Sequence, residues 1–162
     1  FATCAPTCWH LVHSAAAVTP GMSVVVHSAA GAVGALTLQI ARDAGARVIG
    51  LAGGPRKLEY AARFGAAKLI DYLAEDWPAQ VKALTGGRGA DVIIDGNAGP
   101  MAARNYQAIA PLGNIIYLGA MAGQAPDVNV SQLIGQSFSV TGFVLFHHQA
   151  RSGGREEVEI TE

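Results

Sequence analysis

The stretch Ser23-Val24-Val25-Val26-His27-Ser28-Ala29-Ala30-Gly31-Ala32-Val33-Gly34 decides the fold. The turn pair Pro20-Gly21 opens it, and the three valines read as a strand buried in a sheet. The small residues Ser28 to Gly31 form a turn, and a helix follows from about Ala32 to Ala44, stopped by Gly45. Within the turn, Ala29-Ala30-Gly31-Ala32-Val33-Gly34 is a G-x-G-x-x-G fingerprint with alanine in the first glycine position. A pyrophosphate carries negative charge and needs backbone N–H donors at close range. Gly31 has no side chain to hold it away, and the helix beyond offers free N–H groups and the positive end of its dipole. Gly34 lets the helix lie close to the strand. Such a glycine pattern alone is weak, but its place between a strand and a helix supplies the context of a dinucleotide-binding loop.

On either side, short apolar runs alternate with alanine-rich helical stretches, the rhythm of βαβ units. Further strands are expected at Arg47–Leu51, Lys68–Asp71, Asp91–Asp95, Asn114–Leu118 and Phe138–Leu145. Helices are expected after Gly54 to about Phe64, over Trp77–Leu84, over Pro100–Ile109 and near Ser131–Gly135, with one more leading in over Pro6–Ala17. Six strands with right-handed crossovers predict an α/β Rossmann fold, a doubly wound six-stranded parallel sheet of order 3-2-1-4-5-6 with a crevice beyond its strand C-termini. The expected division is a lead-in helix (1–20), a nucleotide-binding domain (21–150) and a polar tail (151–162). That tail is expected to be mobile or a product of where the chain was cut.

The 162 residues suffice for one domain with a full core. With a net charge of −1 and no basic stripe, the footprint of a nucleic-acid binder is missing. No apolar run approaches the roughly 20 residues of a transmembrane helix. The opening Phe1-Ala2-Thr3-Cys4 lacks the pattern of a secretory leader. Cys4 and Cys8 read either as a metal pair or disulfide, or as two small apolar side chains on one helical face. A zinc site would need two more ligands, for which His10 and His13 are the local candidates. The cysteine usage fits a cytoplasmic compartment.

The choice of dinucleotide turns on the end of the second strand. NAD-binding sequences carry an Asp or Glu about 20 residues beyond the glycines, where it accepts from the ribose hydroxyls. That position falls on Leu51-Ala52-Gly53-Gly54, which holds no acid. Just beyond lie Arg56 and Lys57, either able to pair with a 2′-phosphate. NADPH is therefore expected over NADH.

Thr7-Cys8-Trp9-His10, Gly45-Ala46-Arg47-Val48-Ile49-Gly50, Ile70-Asp71-Tyr72, Thr85-Gly86-Gly87-Arg88-Gly89, Asp91–Asp95 and Thr141–Phe146 continue the fingerprint in order and at one family's spacing. With it, the chain resembles the medium-chain dehydrogenase/reductase superfamily, in its quinone oxidoreductase (zeta-crystallin-like) branch. The resemblance implies that Gly31, Ala32, Val33 and Gly34 lie on the pyrophosphate, and that Lys57 and Tyr72 flank the 2′-phosphate. It implies that Asn97 touches the adenosine side. It also brings Leu118-Gly119-Ala120 and Phe143-Val144-Leu145 to the nicotinamide end, where Thr7 packs. Zinc-dependent members take a cysteine where this chain has Thr3, with Cys4 one place off, a turn of about 100° on a helix. The metal-free branch is thus implied, with direct hydride transfer to a quinone or an α,β-unsaturated carbonyl.

The family builds its substrate pocket against a GroES-like domain, whose segments are not in these residues. No catalytic residue is assigned, and His147 and His148 read as surface or dimer-contact residues. The sixth strand would leave an apolar sheet edge, which with the resemblance points to a homodimer. Two alternatives stand beside this reading. One is an enoyl-thioester reductase domain of a polyketide-type synthase; the other is a dinucleotide-binding module without turnover.

Overall fold

The computed structural model describes residues 3–73, 76–125 and 127–152. The elements run α1 (Cys4–His10), a π-helical segment (Leu11–Ala15), β1 (Ser23–Val26), α2 (Ala32–Asp43), β2 (Arg47–Ala52), α3 (Pro55–Ala62), β3 (Lys68–Asp71) and α4 (Trp77–Leu84). The second half follows with β4 (Ala90–Asp95), a 3-10 turn (Pro100–Arg104), α5 (Asn105–Ala108), β5 (Ile109–Tyr117), α6 (Val130–Gln136), β6 (Ser139–Gly142) and α7 (Leu145–Ser152). The six strands pair in parallel in the order β3-β2-β1-β4-β5-β6. This is the doubly wound Rossmann sheet that the sequence predicts.

The period of two along a strand explains why the apolar runs are continuous. Val24 and Val26 join Val48, Val92, Ile94 and Ile116 on one face, against Leu11, Val12 and the α2 residues Leu38 and Ala41. Val25 joins Ile49, Leu51, Ile93 and Ile115 on the other, against Trp77, Val81 and Tyr106. Each face is covered, so neither can be polar. Parallel register sets Val25 beside Ile49 and Ile93, which brings the C-terminal ends of β1, β2 and β4 to one level. The strand order reverses between β1 and β4, and the loops from the two sides part there to leave a crevice.

Four boundaries differ from the sequence expectation. The lead-in helix is α-helical only to His10 and widens to π geometry before Ala17, whose φ of 46° ends it. The helix expected over Pro100–Ile109 is a 3-10 turn and a single α turn, and Ile109 already belongs to β5. There Ile109 pairs with Ala90 before an irregularity containing Leu112 at φ 64°, and regular pairing resumes at Asn114. The sixth strand stops at Gly142, because Phe143 turns inward and Leu145 opens α7. His148 is consequently a helix residue, half-buried, whose ring stacks on Phe143 with centroids 4.7 Å apart, while His147 is exposed. Of the expected tail, 153–162 lie outside the described residues. Among the described residues, no helix is long and apolar enough to cross a membrane.

Candidate functional site

The loop between β1 and α2 is built by a close approach. A Cβ on Gly34 would stand 2.8 Å from the Ser28 carbonyl carbon and 3.1 Å from the His27 carbonyl oxygen, so only glycine lets α2 start against the end of β1. Gly31 caps the helix in extended conformation, and its N–H donates to the Ser28 carbonyl at 2.7 Å. The N–H groups of Ala32, Val33 and Gly34 head α2, where an α-helix leaves its donors unpaired. Ser28 itself sits at φ 52°, and its hydroxyl donates to Asn97 Oδ1 at 2.9 Å across the crevice.

A cleft of about 840 Å³ opens beside this loop, from Ser28 and Gly31 to Gly53, Lys57, Tyr60 and Tyr72. A second, of about 280 Å³, shares Ser28, Lys57 and Tyr72 and extends to His27, Asn97, Met101 and Met121. Gly53 lies against the Tyr72 side chain: a Cβ there would be 2.8 Å from the hydroxyl oxygen, so the ring would have to shift. Gly54 caps α3 at φ 83°, and Pro55 begins the helix, which places Arg56 and Lys57 in its first turn. Among the described residues, neither cation has an acidic partner, and both border the larger cleft. On the next turn, Tyr60 also lines it, with the Arg63 guanidinium 5.7 Å from its ring centre.

An acid also reaches this corner. Asp71, at the end of β3, accepts the N–H groups of Gly54 and Leu73, each at 3.0 Å. Reading only the end of β2 misses it, because the loop is closed by the neighbouring strand. Deeper, Asp95 is buried and accepts the N–H groups of Asn97 and Ala98, while Asn105 donates to its other oxygen. Burial pushes the His27 imidazole below the usual histidine range, against the opposing influence of Asp95 and Asn105. Burial also lifts the Tyr117 phenol to about 12.

Gly31, Lys57, Tyr72 and Asn97 therefore each border at least one of the two clefts, and Ser28, Gly53 and Tyr60 join them without having been given a site role from sequence, while Asp71 stands behind the Gly54 turn. The small residues flanking the fingerprint and the i, i+3 step from Lys57 to Tyr60 were the available signals. Thr7, Gly119, Ala120, Val144 and Leu145 line neither cleft. Thr7 Oγ1 donates to the Thr3 carbonyl at 2.7 Å, and Leu145 packs on the core. Phe143 has a buried ring, and its N–H donates to the Tyr117 carbonyl at 2.8 Å. Cys8 is buried with Sγ 3.4 Å from the Val33 carbonyl oxygen, and both cysteines are free thiols. Among the described residues, no three His, Cys, Asp or Glu side chains come together as a metal site.

Residues 32–158 match the family described as zinc-binding dehydrogenase. A 2-haloacrylate reductase from Burkholderia sp is 30% identical over 155 residues, covering 94% of this chain and 46% of that protein. The crystal structure of 2-haloacrylate reductase superposes with a TM-score of 0.86 at 31% identity, over 90% of this chain and 46% of that one. Escherichia coli quinone oxidoreductase complexed with NADPH gives 0.81 at 29% identity, over 88% and 44%. A phenolphthiocerol/phthiocerol polyketide synthase of Mycobacterium tuberculosis is 36% identical over 113 residues, 70% of this chain and 5% of that protein. The chain thus spans about half the length of the two reductases. A parallel sheet of this order, its phosphate loop and the family match agree: the chain belongs to the zinc-binding dehydrogenase family, the cofactor-binding half of the medium-chain dehydrogenases/reductases.

Proposed function

We propose that this chain binds NADPH as the cofactor half of a reductase that delivers hydride to a quinone or an α,β-unsaturated carbonyl. The observation that carries it is the corner where Lys57 and Tyr72 meet beside Gly53, one cleft away from the N–H groups at the head of α2. The fit is chemical. Two cations with no acidic partner among the described residues suit a dianionic 2′-phosphate, and the side-chain-free Gly31 lets a pyrophosphate reach backbone donors. The smaller cleft, with Asn97 and two methionines, suits the flat adenine ring.

When bound, the nicotinamide supplies the hydride; the chain's own part is binding and orientation. Arg56 and Lys57 hold the phosphate charge, and Tyr72 closes the ribose side. Thr7, Gly119, Ala120 and the backbone at Val144 and Leu145 are proposed to border the nicotinamide end. Thr3 in place of a ligating cysteine supports a zinc-independent reaction. The outer edge of β6, unpaired among the described residues, supports a homodimer that continues the sheet into a second copy. Similarity to a putative enoyl reductase domain of a polyketide synthase favours a second acceptor, an enoyl thioester, which is an α,β-unsaturated carbonyl as well.

Fluorescence titration with NADPH and NADH tests the reading. NADPH is expected to bind more tightly, and Lys57→Ala to erase most of the difference. Equal weak binding of both dinucleotides, unchanged in Lys57→Ala, would overturn it.

A further inference from the structure

Behind the phosphate loop lies a buried polar chain that the dinucleotide contacts do not account for. Asn105 opens α5 and is completely buried. Its Nδ2 donates to Asp95 Oδ2 at 2.9 Å and to the Tyr117 hydroxyl oxygen at 3.3 Å. Two acceptors on one side fix the amide, so Oδ1 faces His27, and the His27 Nε2–H donates to it at 2.9 Å. Asp95 Oδ1 accepts the N–H groups of Asn97 at 2.8 Å and Ala98 at 3.1 Å. Asn97 accepts the Ser28 hydroxyl, and the Ser28 carbonyl accepts the Gly31 N–H.

Two residues along this chain hold left-handed backbone, Ser28 at φ 52° and Ala98 at φ 51°. Neither is glycine, so each conformation is strained and persists only where neighbouring bonds over-determine it. Those bonds are the Ser28 hydroxyl to Asn97 and the Ala98 N–H to Asp95. Loosening Asp95 therefore loosens both the loop after β4 and the loop after β1. What fixes Asp95 from its far side is the Asn105 amide, which borders neither cleft.

We propose that Asn105 is a positioning residue for dinucleotide binding: through Asp95 and His27 it holds the Asn97–Ala98 loop and the Ser28–Gly31 loop in one shared binding geometry. The inference rests on the dinucleotide reading above and names a determinant of affinity that borders neither cleft. A buried amide with three partners is a rigid fixture, and its removal leaves Asp95 Oδ2 and the His27 N–H unsatisfied unless the loops rearrange.

The test uses the full chain with Asn105→Ala and Asn105→Asp, kept at a temperature where circular dichroism shows each variant folded. Dissociation constants for NADPH and NADH are measured together with amide hydrogen exchange of the unliganded protein. Asn105→Ala is expected to weaken both dinucleotides about tenfold and equally, because the phosphate loop serves both. Exchange is expected to rise at Gly31, Asn97 and Ala98, while the mid-sheet amides of Val25 and Ile93 change less. In Asn105→Asp the new carboxyl faces Asp95, with His27 just after β1, Tyr117 from β5 and Tyr106 beside it as the other titratable neighbours. Its protonation restores a donor to Asp95, so the ratio of variant to wild-type dissociation constant is expected to fall as pH falls. Folded Asn105→Ala with wild-type affinity, or with unchanged exchange in the two loops, would overturn the inference while leaving NADPH binding intact. Wild-type protein that binds neither dinucleotide would overturn both.

Discussion

Asp71 and Gly54, on neighbouring strands' loops, are tied by a 3.0 Å hydrogen bond from the glycine N–H to a carboxylate oxygen. The bond braces the turn that places Arg56 and Lys57, yet it also brings negative charge towards the corner proposed for a 2′-phosphate. Geometry and charge can be separated. Asp71→Asn retains an oxygen acceptor and removes the charge, so NADPH binding is expected to tighten a few-fold while NADH binding stays level. Asp71→Ala removes both acceptor bonds, and titration is expected to show weaker binding of each dinucleotide.

Gly34→Ala places a methyl group against the Ser28 carbonyl, which belongs to backbone and cannot swing away. Relaxation must push α2 off β1. A loss of about 1–3 kcal/mol is expected in urea unfolding, with dinucleotide binding weakened in the fraction that remains folded.

The buried His27 gives stability a pH dependence whose sign follows from its depressed pKa. Below the ordinary histidine value of 6.5, the unfolded chain binds a proton that the folded chain resists. Stability is therefore full above that value and is lost as pH falls towards the folded pKa. Thermal melts at pH 5.5 are expected to lie below those at pH 7.5, and His27→Gln is expected to flatten that difference.

The two thiols are expected to differ in reactivity. Cys8 is completely buried, and burial pushes its thiol above the usual range, so little thiolate forms. Cys4 is half-buried. Labelling with an aromatic disulfide is expected to modify Cys4 first, and Cys8 only after denaturant is added.

The β6 edge predicts association. Sedimentation is expected to give a dimer, and Ser139→Lys, at an exposed edge position, is expected to give a monomer. A wild-type monomer at micromolar concentration would remove the sheet-continuing dimer.

Much of the architecture is legible because parallel strands buried on both faces must be continuous apolar runs, as at Val24-Val25-Val26 and Val92-Ile93-Ile94. The turn from β1 into α2 is legible because a close backbone approach demands glycine, which Gly34 satisfies against Ser28. What escaped depends on contacts between distant segments. Ile109 reads as a helix end, and only its pairing with Ala90 makes it strand. Phe143 reads as a strand residue near a ligand, and its inward turn against Tyr117 and His148 is a tertiary choice. Asp71 is distant from Gly54 in sequence, so no local pattern announces that it closes the turn. The same holds for Asn105, whose sequence neighbours say nothing of its place until the ends of β1, β4 and β5 surround it.

The contrast between Gly34 and the first turn of α3 sets where variation can enter. At Gly34 the neighbouring backbone forbids even a methyl group, whereas Arg56, Lys57 and Tyr60 are exposed side chains on a helix surface. On the proposed reading, a lineage would exchange one dinucleotide for another by surface substitutions at those three positions. The proposed anchorage shared by both dinucleotides would stay frozen, so that cofactor preference could evolve where cofactor attachment could not.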